Sequence, residues 1–174
     1  MSELVVARLA GADVALIPIA GSRALAIVDA ADAPLVAGRS WHLGNGYATT
    51  TRSPRVSGAQ KIRMHQLILP TPEGLTADHR NLNRLDNRRS NLRPATAAQQ
   101  QWNRDLDCRN SSGFKGVHPY KKTGQWRAMI RLDGRSRHIG LFDDLTEAAK
   151  AYDSAAREHF GEFARVNFPE LVDA

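Results

Sequence analysis

The segment DHRNLNRLDNRRSNLR, from Asp78 to Arg93, constrains the fold of this chain more than any other. It shows no apolar period, so neither a half-buried strand nor an amphipathic helix can run through it. Two prolines in the preceding run LPTP end the element before it. Residues 97 to 104 after it are good helix formers, with Thr96 as the expected N-cap. The chain therefore passes here from a strand through a long polar loop to a helix.

Short β-branched and leucine-rich runs dominate the chain before this loop. Three of them, separated by turn signals, predict strands in a meander at residues 4 to 8, 14 to 19 and 24 to 28. Residues 46 to 51 can continue the meander. The run from 60 to 69 fits another strand or a short helix equally well.

A second unit follows a polar, linker-like stretch at residues 105 to 113. Three strand-like runs come next, FKGVHPY, QWRAMIRL and RSRHIGLF, and the Asp-Gly pair between the last two is a strong hairpin signal. The run TEAAKAYDSAAREHFG then predicts a helix with Thr146 as its N-cap and Gly161 as its stop. Its apolar residues recur at helical spacing, so one side of the helix can pack on the sheet.

Side chains alternate along the middle strand of this second unit. Trp126, Ala128 and Ile130 fall on one face, which we expect to pack on the helix. The opposite face carries Arg127 and Arg131 and is expected to face solvent. A basic sheet face of this kind fits a DNA major groove, where arginine can donate two hydrogen bonds to guanine. A solvated basic sheet without a DNA partner is the alternative.

Positive charge is concentrated in the middle of the chain. The net charge is +6, but residues 51 to 140 hold 18 Lys and Arg against 6 Asp and Glu, and both flanks are net negative. This distribution favours a polyanionic partner, because basic side chains set against phosphates release condensed counterions. An arginine-rich surface with no such partner is the alternative.

Composition excludes several other classes of protein. The length of 174 residues and the 42% hydrophobic content fit a globular chain of one ordinary domain or two small ones. A single cysteine, Cys108, can form neither an internal disulfide nor a paired-cysteine zinc site. No uninterrupted apolar run is long enough to span a membrane, and the N-terminus lacks the order of a signal peptide. A cytoplasmic protein is expected.

Residues 114 to 169 resemble the Apetala-2/ethylene-response-factor DNA-binding domain, through KGV, W-x-A-x-I-R, IGLF, TEAAKAYDSAA, the glycine after that helix and NFP. The resemblance implies three antiparallel strands packed on one helix, with the sheet laid in the DNA major groove. By position, the residues facing DNA would be Lys115, His118, Arg127, Arg131 and His138. Three of these, the lysine and the two histidines, differ from the residues usual in plant members, so the plant recognition sequence does not transfer. Arg135 and Arg137 are further candidates for phosphate contacts.

Residues 64 to 104 resemble HNH homing endonucleases, through MHQLI, ADH, the spacing N-x-N-x-x-D-N-R-x-x-N-L-R and the AT that follows. The resemblance implies a two-stranded hairpin crossed by a helix around one divalent metal. By position, Asp78 and Gln100 would be metal ligands, His79 the general base, and Asn91 the residue that holds the loop and keeps His79 oriented. Oxygen ligands favour Mg²⁺ or Mn²⁺.

Two positions depart from the family pattern. The second metal ligand is usually asparagine, and Gln100 keeps the amide oxygen but adds one methylene and one rotor. Leu82 stands where relatives generally have glycine, which predicts a changed loop conformation. His65, in MHQLI, is expected to be a core histidine with a satisfied hydrogen bond.

The arginines in or beside the loop are expected to contact the DNA backbone, since phosphate contacts do most of the positioning on DNA. They are Arg80, Arg84, Arg88, Arg89 and Arg93. Asp86 and Asn87 are expected to cap turns inside the loop. Either Arg88 or Arg89 can instead pair with Asp86, and the sequence does not choose between them.

Taken together, these patterns predict an α+β protein of four segments: a β-rich segment at 1–60, a nuclease unit at 61–104, a linker at 105–113 and a DNA-binding unit at 114–169. We expect a DNA endonuclease of the HNH homing or mobile-element type, acting on double-stranded DNA in a bacterial cell or phage-infected host. Neither a membrane nor a small molecule is an expected partner. The alternative is a DNA-binding or regulatory protein whose nuclease site has decayed through Gln100.

Overall fold

A computed structural model describes residues 5 to 9, 11 to 51 and 60 to 170 of the chain. The chain divides between Ala97 and Ala98 into two compact units. Within the described residues there are eleven strands and four α-helices, and every sheet is antiparallel. The α+β class predicted from the sequence is confirmed.

The first unit begins with the predicted meander. Strands β1 (Val5–Leu9), β2 (Ala12–Pro18) and β3 (Leu25–Asp29) pair in the order β1-β2-β3. A short 3₁₀ turn and a single helical turn, α1 (Ala33–Val36), follow where the sequence predicted only a turn. A proline in the first turn of α1 supplies a backbone angle that suits a helix start.

A second sheet contains β4 (His42–Gly44), β5 (Tyr47–Thr51) and β6 (Lys61–Arg63). The two-residue turn between β4 and β5 is Asn-Gly, and both residues have positive φ, 51° and 80°. This is the turn chemistry that a tight hairpin prefers. Helix α2 (Met64–Ile68) follows β6 directly, so the run from 60 to 69 is part strand and part helix.

The polar loop lies between two paired strands. β7 (Thr76–His79) and β8 (Leu92–Ala95) place Asp78 opposite Arg93 and His79 opposite Leu92. Helix α3 (Ala97–Trp102) comes next, two residues shorter than predicted. The predicted order of strand, long polar loop and helix is confirmed.

One hydrophobic core joins the parts of the first unit. Trp41 is almost fully buried, and its indole nitrogen donates to the carbonyl of Val36 at 3.0 Å. The same cluster contains Val28 of β3, Met64 of α2 and Leu92 of β8. The β-rich segment predicted at 1–60 and the hairpin that carries the loop therefore share a core.

The second unit has the predicted sheet and helix. Strands β9 (Val117–Tyr120), β10 (Gln125–Leu132) and β11 (Arg135–Phe142) lie in the order β11-β10-β9, followed by α4 (Leu145–Phe160). The predicted N-cap at Thr146 is wrong, because Asp144 precedes the helix and its carboxylate accepts from the backbone N–H of Glu147 at 2.8 Å. Gly161 ends α4 with a φ of 52°, as predicted.

The sheet of this unit packs its predicted apolar face on α4. Ala128 and Ile130 are buried against the helix, together with Ala149, Tyr152 and other residues of its apolar stripe. In KGV, Gly116 has a φ of 75°, and a Cβ there would lie 2.0 Å from the Tyr152 ring. The motif therefore needs glycine both for its backbone angle and for the close approach of the ring.

The polar stretch before β9 is bonded to the sheet it precedes. Ser112 Oγ donates to the carbonyl of Val117 at 2.8 Å, and Asn110 Nδ2 donates to the carbonyl of Phe114 at 3.0 Å. Small polar side chains can satisfy backbone groups in this way, so composition typical of a linker is here part of an ordered turn. The predicted boundaries at 105 and 113 stay a prediction.

Candidate active site and nucleic-acid interface

His79 stands at the end of β7 and is buried, with 4% of its surface exposed. Its Nε2 lies 3.2 Å from the side-chain oxygen of Asn87. The amide nitrogen of Asn87 donates to the carbonyl of Leu85 at 3.1 Å, which fixes the orientation of that amide. An amide oxygen only accepts hydrogen bonds, so Nε2 carries the proton and Nδ1 of the neutral ring is the acceptor.

The surroundings keep this imidazole neutral near pH 7. Burial lowers the pKa of His79 below its ordinary 6.5, and the positive charge of Arg84 lowers it further. The hydrogen bond that His79 donates to Asn87 and the carboxylates of Asp78 and Asp86 raise the pKa, but it still ends below 6.5. A neutral histidine is the form that can accept a proton.

Two further rings pack beside His79. The His65 ring lies edge-on to it with centroids 5.1 Å apart, and the Tyr47 ring is 5.3 Å from His65 and 5.9 Å from His79. Burial lowers the pKa of His65 to about 3, and the charges of His79 and Arg63 add to this effect. The prediction that His65 is buried in the core is confirmed.

Asn91 bonds to both sides of the loop. Its Nδ2 donates to the carbonyl of Asp86 at 2.7 Å, and its Oδ1 accepts from the backbone N–H of Asn81 at 3.0 Å. Its own carbonyl accepts from the N–H of Arg80 at 2.9 Å. These bonds join the first, middle and last parts of the loop and give Asn91 the position its expected bracing role requires.

The N-terminal sheet supports the loop along the exposed edge of β3. The N–H of Ile27 donates to Leu85 at 2.8 Å, and the N–H of Asn87 donates back to Ile27 at 2.7 Å. Arg89 continues the contact, with its N–H on Asp29 and two side-chain nitrogens on Asp32, each at 2.8 Å. Nothing in the local sequence of the loop identified this support.

Three of the arginines predicted to contact DNA have carboxylate partners in the first unit. Arg88, and not Arg89, pairs with Asp86, at 2.8 and 2.7 Å. Arg93 is only 4% exposed and pairs with Asp78, which faces it across the β7–β8 ladder. Arg93 is therefore buried, because its strand register directs it to that carboxylate, and its contact with DNA stays a prediction. Arg84 is exposed and has no ion pair among the described residues.

The outer face of the sheet in the second unit brings four predicted DNA contacts together. His118 lies opposite Arg127, and His138 lies opposite Met129, while Arg131 is on the same side of β10. A bulge between Ala128 and Met129 in the pairing shifts the register by one residue of β11. This shift places His138 on the outer face. Of these four side chains, Arg127 is half-buried and the other three are exposed.

Lys115 differs from these four. It precedes β9, and its ammonium donates to the carbonyls of Trp102 and Arg104 at 2.7 and 2.6 Å. Burial lowers its pKa to about 8. The structure therefore contradicts the predicted placement of Lys115 on the DNA-facing sheet: its charge is used at the C-terminal end of α3, where unpaired helix carbonyls favour a cation.

Comparison with known proteins relates most of the chain to one family. The chain is 31% identical over 141 residues to an uncharacterized HNH endonuclease of Acanthamoeba polyphaga mimivirus. The aligned residues make up 77% of this chain and 70% of that protein. The chain belongs to the HNH endonuclease family. Protein 3.8 of Escherichia phage T7 is 33% identical over 96 residues of this HNH protein, 55% of its chain and 78% of the phage protein.

The C-terminal part of this HNH protein is similar to plant transcription factors. An ethylene-responsive transcription factor of Arabidopsis thaliana is 48% identical over 60 residues, 33% of this chain and 23% of the factor. A dehydration-responsive element-binding protein of the same plant is 45% identical over 64 residues, 36% of this chain and 31% of that protein. The predicted combination of an HNH unit with an Apetala-2 type unit is confirmed.

No family profile matches the chain, and no solved structure matches it. Of the helices in the described residues, none combines the length and the apolar character that a membrane span requires.

The residues of this HNH protein are compatible with a magnesium-type ion. Asp78 is 8% exposed, and its Oδ2 accepts from Nε and Nη2 of Arg93, both at 3.0 Å. Carboxylate oxygens are among the ligands that Mg²⁺ accepts. The described residues contain no cluster of three or more His, Cys, Asp or Glu side chains that could hold a metal. A Mg²⁺ site does not need such a cluster, because the ion keeps several waters and binds substrate phosphates in addition to one or two protein carboxylates.

Gln100 and Leu82 are the two departures from the HNH pattern. Gln100 lies on α3 in the second unit, whereas Asp78 lies in the first, so the ligand pair stays a prediction from the resemblance. Leu82 has a φ of 64°, a left-handed conformation that glycine adopts without steric cost. A leucine here therefore adopts a backbone conformation that favours glycine, and the predicted change of loop conformation relative to the family stays a prediction.

Tyr47 and Arg63 are residues beside the histidines that the sequence analysis missed. The guanidinium carbons of Arg63 and Arg84 lie 4.6 and 4.7 Å from the Tyr47 ring centre. The one available signal was the Asn-Gly pair before Tyr47, which predicts a hairpin and so a fixed position for the tyrosine.

Proposed function

We propose that this HNH protein is a metal-dependent endonuclease that hydrolyses phosphodiester bonds of double-stranded DNA. The observation that carries the proposal is the buried, neutral His79, whose Nε2 is engaged by Asn87 while its Nδ1 is the acceptor nitrogen. A base in this state beside the carboxylate of Asp78 suits a reaction in which water attacks a phosphate.

In the proposed reaction, His79 takes a proton from the attacking water through Nδ1. The new bond joins the water oxygen to phosphorus, the bond to the 3′ oxygen breaks, and that oxygen takes a proton from solvent water to become the 3′ hydroxyl. Asn87 holds the ring in its tautomer, and Asn91 keeps the loop closed so that Asn87 stays in reach. General-base catalysis of this kind contributes about 10²- to 10⁴-fold to a rate.

Asp78 and Gln100 are the residues that we propose as ligands of Mg²⁺ or Mn²⁺. When bound, such an ion would stabilise the charge that develops on the phosphate and on the leaving 3′ oxygen. Arg93 holds the Asp78 carboxylate in one orientation, which limits the motion of the ligand.

The sheet of the second unit is proposed to bind the duplex. His118, Arg127, Arg131 and His138 share its outer face, and arginine donors can read guanine in the major groove. The similarity of this part to plant transcription factors supports the same role.

The test is a cleavage assay on plasmid DNA with Mg²⁺ or Mn²⁺. The wild-type chain is expected to nick or cut the plasmid, and His79→Ala to lower the rate by about 10²-fold or more. His42→Ala is the matched control, because His42 is an exposed histidine of the same unit and should leave the rate unchanged. If the wild type is as inactive as His79→Ala across a range of DNA and metals, the proposal fails.

The second candidate is a DNA-binding protein that has lost cleavage. It is favoured by Gln100 in place of asparagine and by the pairing of Asp78 with Arg93. It predicts salt-sensitive DNA binding without cutting. A gain of cutting in Gln100→Asn would identify position 100 as the damaged ligand, and cutting by the wild-type chain would exclude this candidate.

A further inference from the structure

Charge neutralisation separates the arginines near His79 into two groups. Arg88, Arg89 and Arg93 have their guanidinium groups on carboxylates at 2.7 to 3.0 Å. Arg63 and Arg84 are exposed, and neither has a carboxylate partner among the residues the structure describes. Arg63 and Arg84 therefore each carry positive charge that can meet an anion from solution.

One ring organises these two charges. Both guanidinium groups lie over Tyr47, with their central carbons 4.6 and 4.7 Å from its centre. Like charges repel, and the electron-rich face of an aromatic ring offsets part of that repulsion. The ring therefore contacts both guanidinium groups without neutralising either.

Hydrogen bonds hold the Arg84 guanidinium and the Arg63 backbone. Nη1 of Arg84 donates to the carbonyl of Asn45 in the β4–β5 turn at 2.9 Å. Arg63 lies at the junction of β6 and α2, where its backbone N–H donates to the side chain of Gln66 at 2.8 Å. Each guanidinium retains N–H groups beyond these contacts, since a guanidinium carries five donors.

The cluster borders the proposed base. The Tyr47 ring is 5.9 Å from the His79 ring, centre to centre. We propose that Arg63 and Arg84, held on Tyr47, form a binding site for a backbone phosphate of the DNA strand that is cut. We call these three residues the arginine–tyrosine site. Its placement beside His79 rests on the proposed function, because the strand is oriented for cleavage only if His79 is the base.

Binding can be tested without cleavage. The full-length protein is titrated with a labelled duplex in EDTA at several salt concentrations. Arg63→Ala and Arg84→Ala are each expected to reduce the slope of log K against log salt, by up to about 0.9, the change for losing the one phosphate that both arginines would bind. Arg39→Ala is the matched control, because it removes an exposed arginine elsewhere in the same unit and should leave the slope unchanged.

The ring has its own pair of variants. Tyr47→Phe keeps the aromatic face and should keep wild-type slope and cleavage rate. Tyr47→Leu leaves both charges but removes the ring, and should lower the slope and reduce cleavage about tenfold or more. Thermal melts of each variant establish that the first unit is folded.

The outcomes separate the two proposals. If the wild type cuts DNA but both arginine variants match Arg39→Ala in slope and rate, the arginine–tyrosine site is refuted and the nuclease function stands. If the slopes fall as expected but no variant or wild type cuts DNA, the phosphate site stands and the nuclease function is refuted.

Discussion

Burial sets the charge of His65 and His79 in the first unit. His79 and His65 are each 4% exposed, and their rings are in edge contact, so a proton on either would be poorly solvated. The sequence indicated His79 as a base through its spacing to the loop. It could not identify the partner on Nε2, because Asn87 reaches the ring only after the loop has folded back on β3.

This burial predicts a pH-dependent stability. An unfolded histidine titrates near 6.5, whereas burial lowers the pKa of folded His65 to about 3. Between these values the unfolded state binds a proton that the folded state does not, so stability is full above pH 6.5 and falls as the pH drops. From pH 7.5 to 5.5 the loss from His65 should be about 1 kcal/mol.

The measurement is urea unfolding of the first unit at both pH values. In His65→Phe the absolute stability can change, but the loss between pH 7.5 and 5.5 should shrink by about that amount. An unchanged pH dependence in this variant would contradict the role of His65.

Leu82 gives a second prediction at a single residue. Leu82→Gly and Leu82→Ala both remove the leucine side chain, but only alanine retains a Cβ at a φ of 64°. The glycine variant should therefore be more stable than the alanine variant by about 1 kcal/mol, measured by chemical denaturation. Equal stability, or a more stable alanine variant, would show that the loop relaxes away from this conformation.

At the scale of elements, sequence pattern predicted those strands, turns and helix ends that depend on residues close together in the chain. The alternation in β10, the Asp-Gly hairpin and the stop at Gly161 depend on neighbours in the chain, and all three are observed. The ion pair between Arg89 and Asp32 joins residues far apart in sequence, and the turn at Lys115 depends on α3. No periodicity encodes such contacts.

Lys115 should act on α3 more than on DNA. Its ammonium donates to two carbonyls at the end of that helix, and Trp102 of the helix stacks on Phe160 at 4.6 Å. Lys115→Met is expected to lower the free energy of unfolding of the second unit by about 1 to 3 kcal/mol. Hydrogen exchange should show lost protection in residues 97 to 104.

The control for this change is Lys121→Met, which removes an exposed lysine from the turn after β9. It should leave both the unfolding free energy and the exchange of α3 unchanged. If Lys115→Met instead preserves α3 and weakens DNA binding as Arg127→Ala does, the original assignment of Lys115 to the DNA face is restored.

At the scale of the whole molecule, the chain has two compact units and two proposed tasks. The first unit contains the loop with His79, and its core extends from the N-terminal sheet to β8. The second contains the sheet with the exposed basic face. The boundaries predicted from sequence motifs separated residues 1–60 from the nuclease unit, although the two segments share one core. Burial shared between segments far apart in sequence leaves no local pattern that could have predicted it.

A truncation tests this shared core. A chain that lacks residues 1 to 40 loses β1 to β3 and the support of the loop by Ile27 and Asp29. It should show no cooperative unfolding of the first unit by hydrogen exchange, while the second unit keeps its protection. A truncated chain with a protected β7–β8 hairpin would contradict the shared core.

The central claim is that His79 activates water to break the bond to the 3′ oxygen of DNA. The most direct measurement is cleavage of an end-labelled duplex with Mg²⁺ or Mn²⁺ in water enriched in ¹⁸O, followed by mass spectrometry of the products. The account predicts a free 3′ hydroxyl and one ¹⁸O atom on the new 5′ phosphate, with both lost in His79→Ala. Absence of cleavage by the wild type, or a 3′ phosphate carrying the label, would contradict it.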